Sequence, residues 1–166
     1  MDRKITFLSD KLSSMLISQI AHEQSNANLY IAISNYFNGI GLNQCFKWFE
    51  HQAEEEIHHA KQVTDFLISS GCEDLCPEAV PATELPKEQT PISMMNAYVE
   101  REISTTKLIQ SMCDQSLEDH DYISFKFLTD FISQQLAEED ESHTRLQIFL
   151  TTKDNIVADL AVGELE

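Results

Sequence analysis

Apolar residues recur at three- and four-residue intervals over four long stretches of the chain, and sustained two-residue alternation is absent. The first stretch covers about 6–38, from Thr6 to Asn38, and is closed by Gly39-Ile40-Gly41. The second covers about 42–70, with Gly71 placed where a helix ends on a left-handed residue. Thr90-Pro91 reads as an N-cap followed by a first helical residue, opening a third stretch over 91–117. A polar turn at Glu118–Asp121 separates it from a fourth stretch over 122–152, and a short helix is expected at 155–165. The pattern predicts an all-α fold.

Each long stretch holds roughly 28 residues, a helix ~42 Å long. Short joints make the first pair and the second pair antiparallel hairpins of one four-helix bundle. The segment 71–90 carries Pro77, Pro81 and Pro86 and offers no helix. Fully extended it reaches ~66 Å, enough to run the length of the bundle and start the third helix beside the far end of the second. The expected topology is therefore two hairpins joined by one long crossover, in a single domain spanning 1–166.

A bundle seam repeats every seven residues and should be apolar. Here it is interrupted. The first helix reads Leu16, Glu23, Tyr30, Phe37; the second reads Phe49, Glu56, Val63 beside Cys45, Gln52, His59, Phe66. The third reads Met95, Glu102, Ile109, and the fourth reads Ser124, Phe131, Glu138 beside Leu128 and Gln135. Each helix thus carries a carboxylate in its hydrophobic seam, near its middle. An ionised carboxylate in an apolar core costs several kcal/mol and escapes by protonation, pairing or metal binding.

Charge decides among these. The 166 residues hold 11 Lys plus Arg against 28 Asp plus Glu, a net charge of −17. Such a field repels nucleic acid and anionic lipid, excludes phosphate binding and draws cations. The seams supply His59 and no Lys or Arg near mid-helix, Arg145 lying two turns beyond Glu138. Two divalent or trivalent cations would neutralise the four acids. Oxygen-rich ligation with one imidazole suits iron or manganese, whereas a closed zinc site takes Cys and His. Glu56 and His59, three apart, share a helix face, and Glu-x-x-His with single Glu residues from other helices is a dinuclear arrangement built on bundles. The competing reading leaves the four acids on solvated faces with no metal.

The neighbouring residues divide. Glu54 and His58 fall on the outer face, and His22, His51, His120 and His143 lie off the seam rows as ordinary polar residues. Glu55 has two readings, a ligand toward a further iron or a solvated acid. Tyr30 needs a hydroxyl partner in the core, and Gln135, one turn before Glu138, is placed to orient a ligand. Cys45, Cys72, Cys76 and Cys113 are scattered and read as reduced thiols, with Cys45 and Cys113 buried. The first residues, MDRKITFLSDKLSS, lack a signal peptide's apolar run, and no stretch approaches the ~18 apolar residues of a membrane span. The expected location is the cytoplasm.

The set Glu23, Tyr30, Glu56-Ile57-His58-His59, Glu102 and Gln135-x-x-Glu138 resembles the non-haem ferritins, particularly the prokaryotic type, across essentially the whole chain. The resemblance implies a di-iron ferroxidase centre. Its first iron would bind Glu23, Glu56 and His59, with Glu56 bridging to a second held by Glu102 and Glu138. Tyr30 matches the tyrosine beside that centre, and Gln135 matches a glutamine beside the second iron. It further implies a homo-oligomeric cage of twenty-four subunits that oxidises Fe(II) with O₂ or H₂O₂ and stores a ferric mineral. Two positions that would help Glu55 hold a third iron read Gln134 and Ala137, which weakens that site. No haem is expected, since Ile57 stands where a haem-binding Met would, and Glu141 where a bacterioferritin would place a second His. A different class remains open, a di-iron carboxylate oxidase or peroxidase of small oligomeric state. A metal-free structural bundle is the third reading.

Overall fold

A computed structural model describes residues 8–72, 75–76 and 78–165. Among these, the elements are α1 (Asp10–Gly39), α2 (Asn43–Ser69), α3 (Pro91–Glu118), α4 (Tyr122–Thr151) and α5 (Asn155–Gly163). The first helix begins at Asp10, later than the apolar spacing predicts, because the Ser9 side chain accepts from the Leu12 N–H and caps it. The predicted start at Thr6 lies outside the described residues, as does Pro77. The expected stop of the second helix is found, with Gly71 at φ 85° just past its end. Thr90 and Ser93 form a reciprocal capping box ahead of Pro91. The last helix ends at Gly163, short of the predicted Leu165.

Side-chain packing gives the topology. The start of α1 (Leu12, Leu16, Ile20) packs with the end of α2 (Val63, Leu67), the end of α3 (Ile109, Met112) and the start of α4 (Leu128, Phe131). A second cluster joins the opposite ends: Tyr30, Ile33 and Phe37 with Cys45, Phe49, Met94, Tyr98, Leu146 and Phe149. Both hairpins are therefore antiparallel, and the crossover must traverse the bundle. It does so along α1, in step with it. Ser13 Oγ lies 3.9 Å from Cys72 Sγ, Ser18 Oγ donates to Glu78 Oε1 at 2.9 Å, and the Tyr36 hydroxyl donates to the Gln89 carbonyl at 3.3 Å. Leu75 and Leu85 anchor the strap on the two clusters. Cys45 is buried as expected, whereas Cys113 is only half-buried, because its helix turns it toward the rim of the first cluster.

The two clusters do not meet. Between them lies a polar layer, at the level where the seam acids fall. The end nearer α5 has its own fastening. Leu42 precedes α2 without a capping side chain, and the Asp159 carboxylate of α5 supplies one, accepting from Cys45 N–H (2.8 Å) and Gln44 N–H (3.2 Å). The approach is close enough that a Cβ on Gly163 would stand 2.8 Å from Gln44 Cγ. A cap of this kind contributes about 1 kcal/mol. Asp159→Ala is expected to lower the unfolding free energy by that amount, read as a lower denaturant midpoint, with Asp159→Asn retaining most of it. An unchanged midpoint in Asp159→Ala would count against the cap.

Candidate metal centre

Heptad spacing carries Glu23, Glu56, Glu102 and Glu138 into the layer between the apolar clusters, one from each long helix. Glu23 and Glu102 are fully buried, Glu56 is 2% exposed, and the Glu138 side chain retains 18% exposure toward the groove between α2 and α4. Carboxylate or imidazole atoms of Glu23, Glu56 and His59 all lie within 4.8 Å of one another. The same holds for Glu56, Glu102 and Glu138. Glu56 belongs to both groups. That sharing is what a bridging ligand between two cations requires.

Polar neighbours aim the acids. Gln19 Nε2 donates to Glu23 Oε1 at 2.7 Å, and Asn26 Nδ2 donates to Glu23 Oε2 (3.2 Å) and Glu56 Oε2 (3.3 Å). The Tyr30 hydroxyl donates to Glu102 Oε1, while Gln135 Nε2 donates to Glu102 Oε2 at 2.5 Å. Tyr30 is itself fixed by rings, packing edge-on to Tyr98 at 5.2 Å and tilted against Phe49 at 6.0 Å. The His59 ring stands edge-on to Phe131 at 5.6 Å, with Nε2 3.1 Å from Glu138 Oε1 and Nδ1 3.8 Å from Glu56 Oε2. Its Nδ1 and Glu138 Oε2 are buried without a hydrogen-bond partner. Buried polar atoms are ordinarily satisfied, and a cation placed among these groups would satisfy both.

Seven of the eight residues singled out in the sequence are therefore brought together: Glu23, Tyr30, Glu56, His59, Glu102, Gln135 and Glu138. Glu55 is not. It is half-exposed at the groove between α2 and α4, 3.9 Å from His51, and belongs to neither ligand group. Glu54 and His58 are exposed as expected. Spacing alone missed Gln19 and Asn26, which share the row Leu12, Gln19, Asn26, Ile33 beside the one holding Glu23; polar residues in that row were a readable signal. It also missed Thr105, fully buried on α3, which contacts both Asn26 and His22.

The electrostatics follow from burial. Desolvation, then the charge of Glu56, pushes Glu23 well above the usual carboxylate range, and Glu56 is raised chiefly by its own burial. Burial raises Glu102 to about 7, although hydrogen bonds from Tyr30 and Gln135 oppose it. For His59, burial pulls the imidazole down, but the hydrogen bond and charge of Glu138, helped by Glu56, outweigh it and hold the value at about 11. The groups that offset these acids are the layer's own side chains, His59 foremost. Arg145 is not among them: its guanidinium lies 3.2 Å over the Trp48 ring, away from the layer.

A bundle whose helices each send a carboxylate to one of two overlapping ligand groups has the donors to hold two cations. The chain belongs to the Ferritin-like domain family, whose model matches residues 14–149. It is similar to a bacterial non-heme ferritin of Bacteroides fragilis, 28% identical over 136 residues that cover 80% of this chain and 82% of that protein. Ferritin BfrB of Mycolicibacterium smegmatis is 26% identical over 141 residues, 85% of this chain and 77% of the relative. Among solved structures, an open pore ferritin from the archaeon Archaeoglobus fulgidus superposes with a TM-score of 0.86 at 28% identity, covering 95% of this chain and 97% of that one. No helix among the described residues is long and apolar enough to cross a membrane.

A raised carboxyl value sets the sign of the pH dependence. Glu102 moves from an ordinary 4.5 to about 7, so the metal-free fold binds its proton more tightly than the unfolded chain does. The resulting stability is complete below 4.5 and is lost as pH climbs through about 7. The melting temperature of metal-free protein is expected to fall across that window, less steeply in Glu102→Gln, and a divalent cation added at its upper end should restore it. A melting temperature that rises with pH over the same window would contradict the assignment.

Proposed function

We propose that this chain is a cytoplasmic iron-storage ferritin with ferroxidase activity. The observation that carries the reading is the sharing of Glu56 between two ligand groups inside the bundle. Two Fe(II) ions, as substrates, would take the Glu23–Glu56–His59 and Glu56–Glu102–Glu138 positions. Anionic oxygen ligands favour Fe(III) over Fe(II) and so favour loss of electrons to O₂ or H₂O₂. The residues' part is to bind, orient and shed protons. The unpartnered Nδ1 of His59 must be unprotonated to ligate, while Nε2 can keep its contact with Glu138, and raised carboxyl groups release their protons as metal arrives. Tyr30 and Gln135 hold the two oxygens of Glu102 from opposite sides, which fixes the second position.

Storage requires a cage, and the surface is suited to assembly. Ile156, Val157 and Leu160 of α5 are each more than half exposed, an apolar face that a lone chain would leave in water. Twenty-four chains of 19.0 kDa would sediment as a closed homo-oligomer of roughly half a megadalton. Glu55 faces the groove between α2 and α4 with Gln134 and Ala137 opposite, so no third iron position is proposed there.

A second reading has one observation in its favour. The groove between α2 and α4, about 870 Å³, opens on His59 and Glu138 and would admit a small organic substrate, as an oxidase or peroxidase of small oligomeric state requires. Sizing separates the two, since a dimer under native conditions would favour the oxidase. For the ferroxidase reading, Glu23→Ala and His59→Ala are expected to slow the initial stopped-flow oxidation of Fe(II) by more than about tenfold while the assembly stays intact. Undiminished rates in both variants would falsify the first metal position. In Glu138→Ala, anomalous scattering at the iron edge should show the second position depleted and the first retained.

A further inference from the structure

Asn26 is fully buried one turn beyond Glu23, and its side-chain amide makes an unusual choice. The nitrogen faces three acceptors: Glu23 Oε2 at 3.2 Å, Glu56 Oε2 at 3.3 Å and Thr105 Oγ1 at 3.1 Å. The oxygen, Oδ1, is buried with no hydrogen-bond partner. A buried carbonyl oxygen is left unsatisfied so that both N–H bonds can point at the layer. Thr105 enforces this orientation. Its hydroxyl has a single proton, and Oγ1 lies within reach of the Arg101 carbonyl (3.0 Å) and of His22 Nε2 (2.8 Å). With that proton committed on the far side, Thr105 turns a lone pair toward Asn26, which only an N–H can meet.

From this geometry we propose that Asn26 is a positioning residue that clamps Glu23 to Glu56 before metal arrives, and so sets the affinity of the Glu23–Glu56–His59 position; the proposal rests on the reading of that position given above. Once both have shed their protons, two carboxylates left alone in a low-dielectric layer would turn apart, and closing them would draw on the binding energy of the ion. The amide supplies partial positive charge on the axis between them. It need not leave when the ion binds, because each carboxylate oxygen carries two lone pairs and can keep the N–H while offering the other pair to a cation. Partners that orient ligating carboxylates in this way typically change metal affinity by about 10–100-fold when removed.

Co(II) titration of the assembled, metal-free protein tests this, followed by visible absorption, with anomalous diffraction at the cobalt edge to separate the two positions. The parent should bind two ions per chain. Asn26→Ala should weaken the Glu23–Glu56–His59 position by about 10–100-fold and alter its ligand-field bands, with a smaller loss at the Glu56–Glu102–Glu138 position. Asn26→Ser, which keeps one donor, should recover part of the loss, and Thr105→Val should weaken the same position by a smaller factor. General loosening of the core would lower both positions together, and that result would overturn the proposal. Equal or tighter binding in Asn26→Ala would overturn it too, and would show that the amide merely occupies the ion's space. If Asn26→Ala does not assemble, the isosteric Asn26→Leu carries the same expectation. A parent that binds no Co(II) defeats the metal-site reading itself, whereas two ions bound equally by parent and variant defeat this inference alone.

Discussion

The arrangement depends on bringing four carboxylates into one layer of the core, three of them buried. Burial raises Glu23, Glu56 and Glu102 above the ordinary carboxyl range, and the layer they occupy divides an otherwise continuous apolar core into two clusters. An apolar sequence of similar volume would fold with less opposition. The acids are tolerable because His59 brings a positive charge among them and because amide and phenol donors from Gln19, Asn26, Tyr30 and Gln135 take up most of their oxygens. Of the buried atoms left unpaired, His59 Nδ1 and Glu138 Oε2 belong to the ligand groups and mark where a cation would complete them.

The remainder of the fold can be understood as rigid support for that layer. Aromatic rings crowd one side: Tyr30, Tyr98, Phe37 and Phe49 pack against each other, and Phe131 holds His59 from the other. The crossover, with no helix among its described residues, lies in register along α1 and lets the third helix begin at the end of the bundle where the first finishes. That reversal brings Glu102 to the same height as Glu23. A shorter connection would have inverted α3 and carried Glu102 away from its partners.

Much of this was legible in the order of residues, for a physical reason. A seam acid violates a seven-residue repeat, so Glu23, Glu56, Glu102 and Glu138 announce themselves by breaking a local rule, and Thr90-Pro91 declares a helix start by capping chemistry. The supporting donors are quieter. Asn26 meets Thr105 across 79 positions of sequence, a contact fixed only by the relative heights of two helices. His22 lies off the seam and still reaches Thr105 for the same reason. The Asp159 cap is more distant still, and nothing near Leu42 signals that α2 borrows its first-turn acceptor from the chain's last helix. The short helix itself was foreseen; its purpose was not.

That borrowed acceptor has a consequence for biogenesis. A ribosome delivers α2 long before it delivers Asp159, so the nascent hairpin of α1 and α2 emerges with its entry turn unfinished and its metal-binding acids already made. Closure of that turn awaits α5, so the helix that carries Glu56 and His59 gains its first-turn acceptor only after Asp159 has emerged.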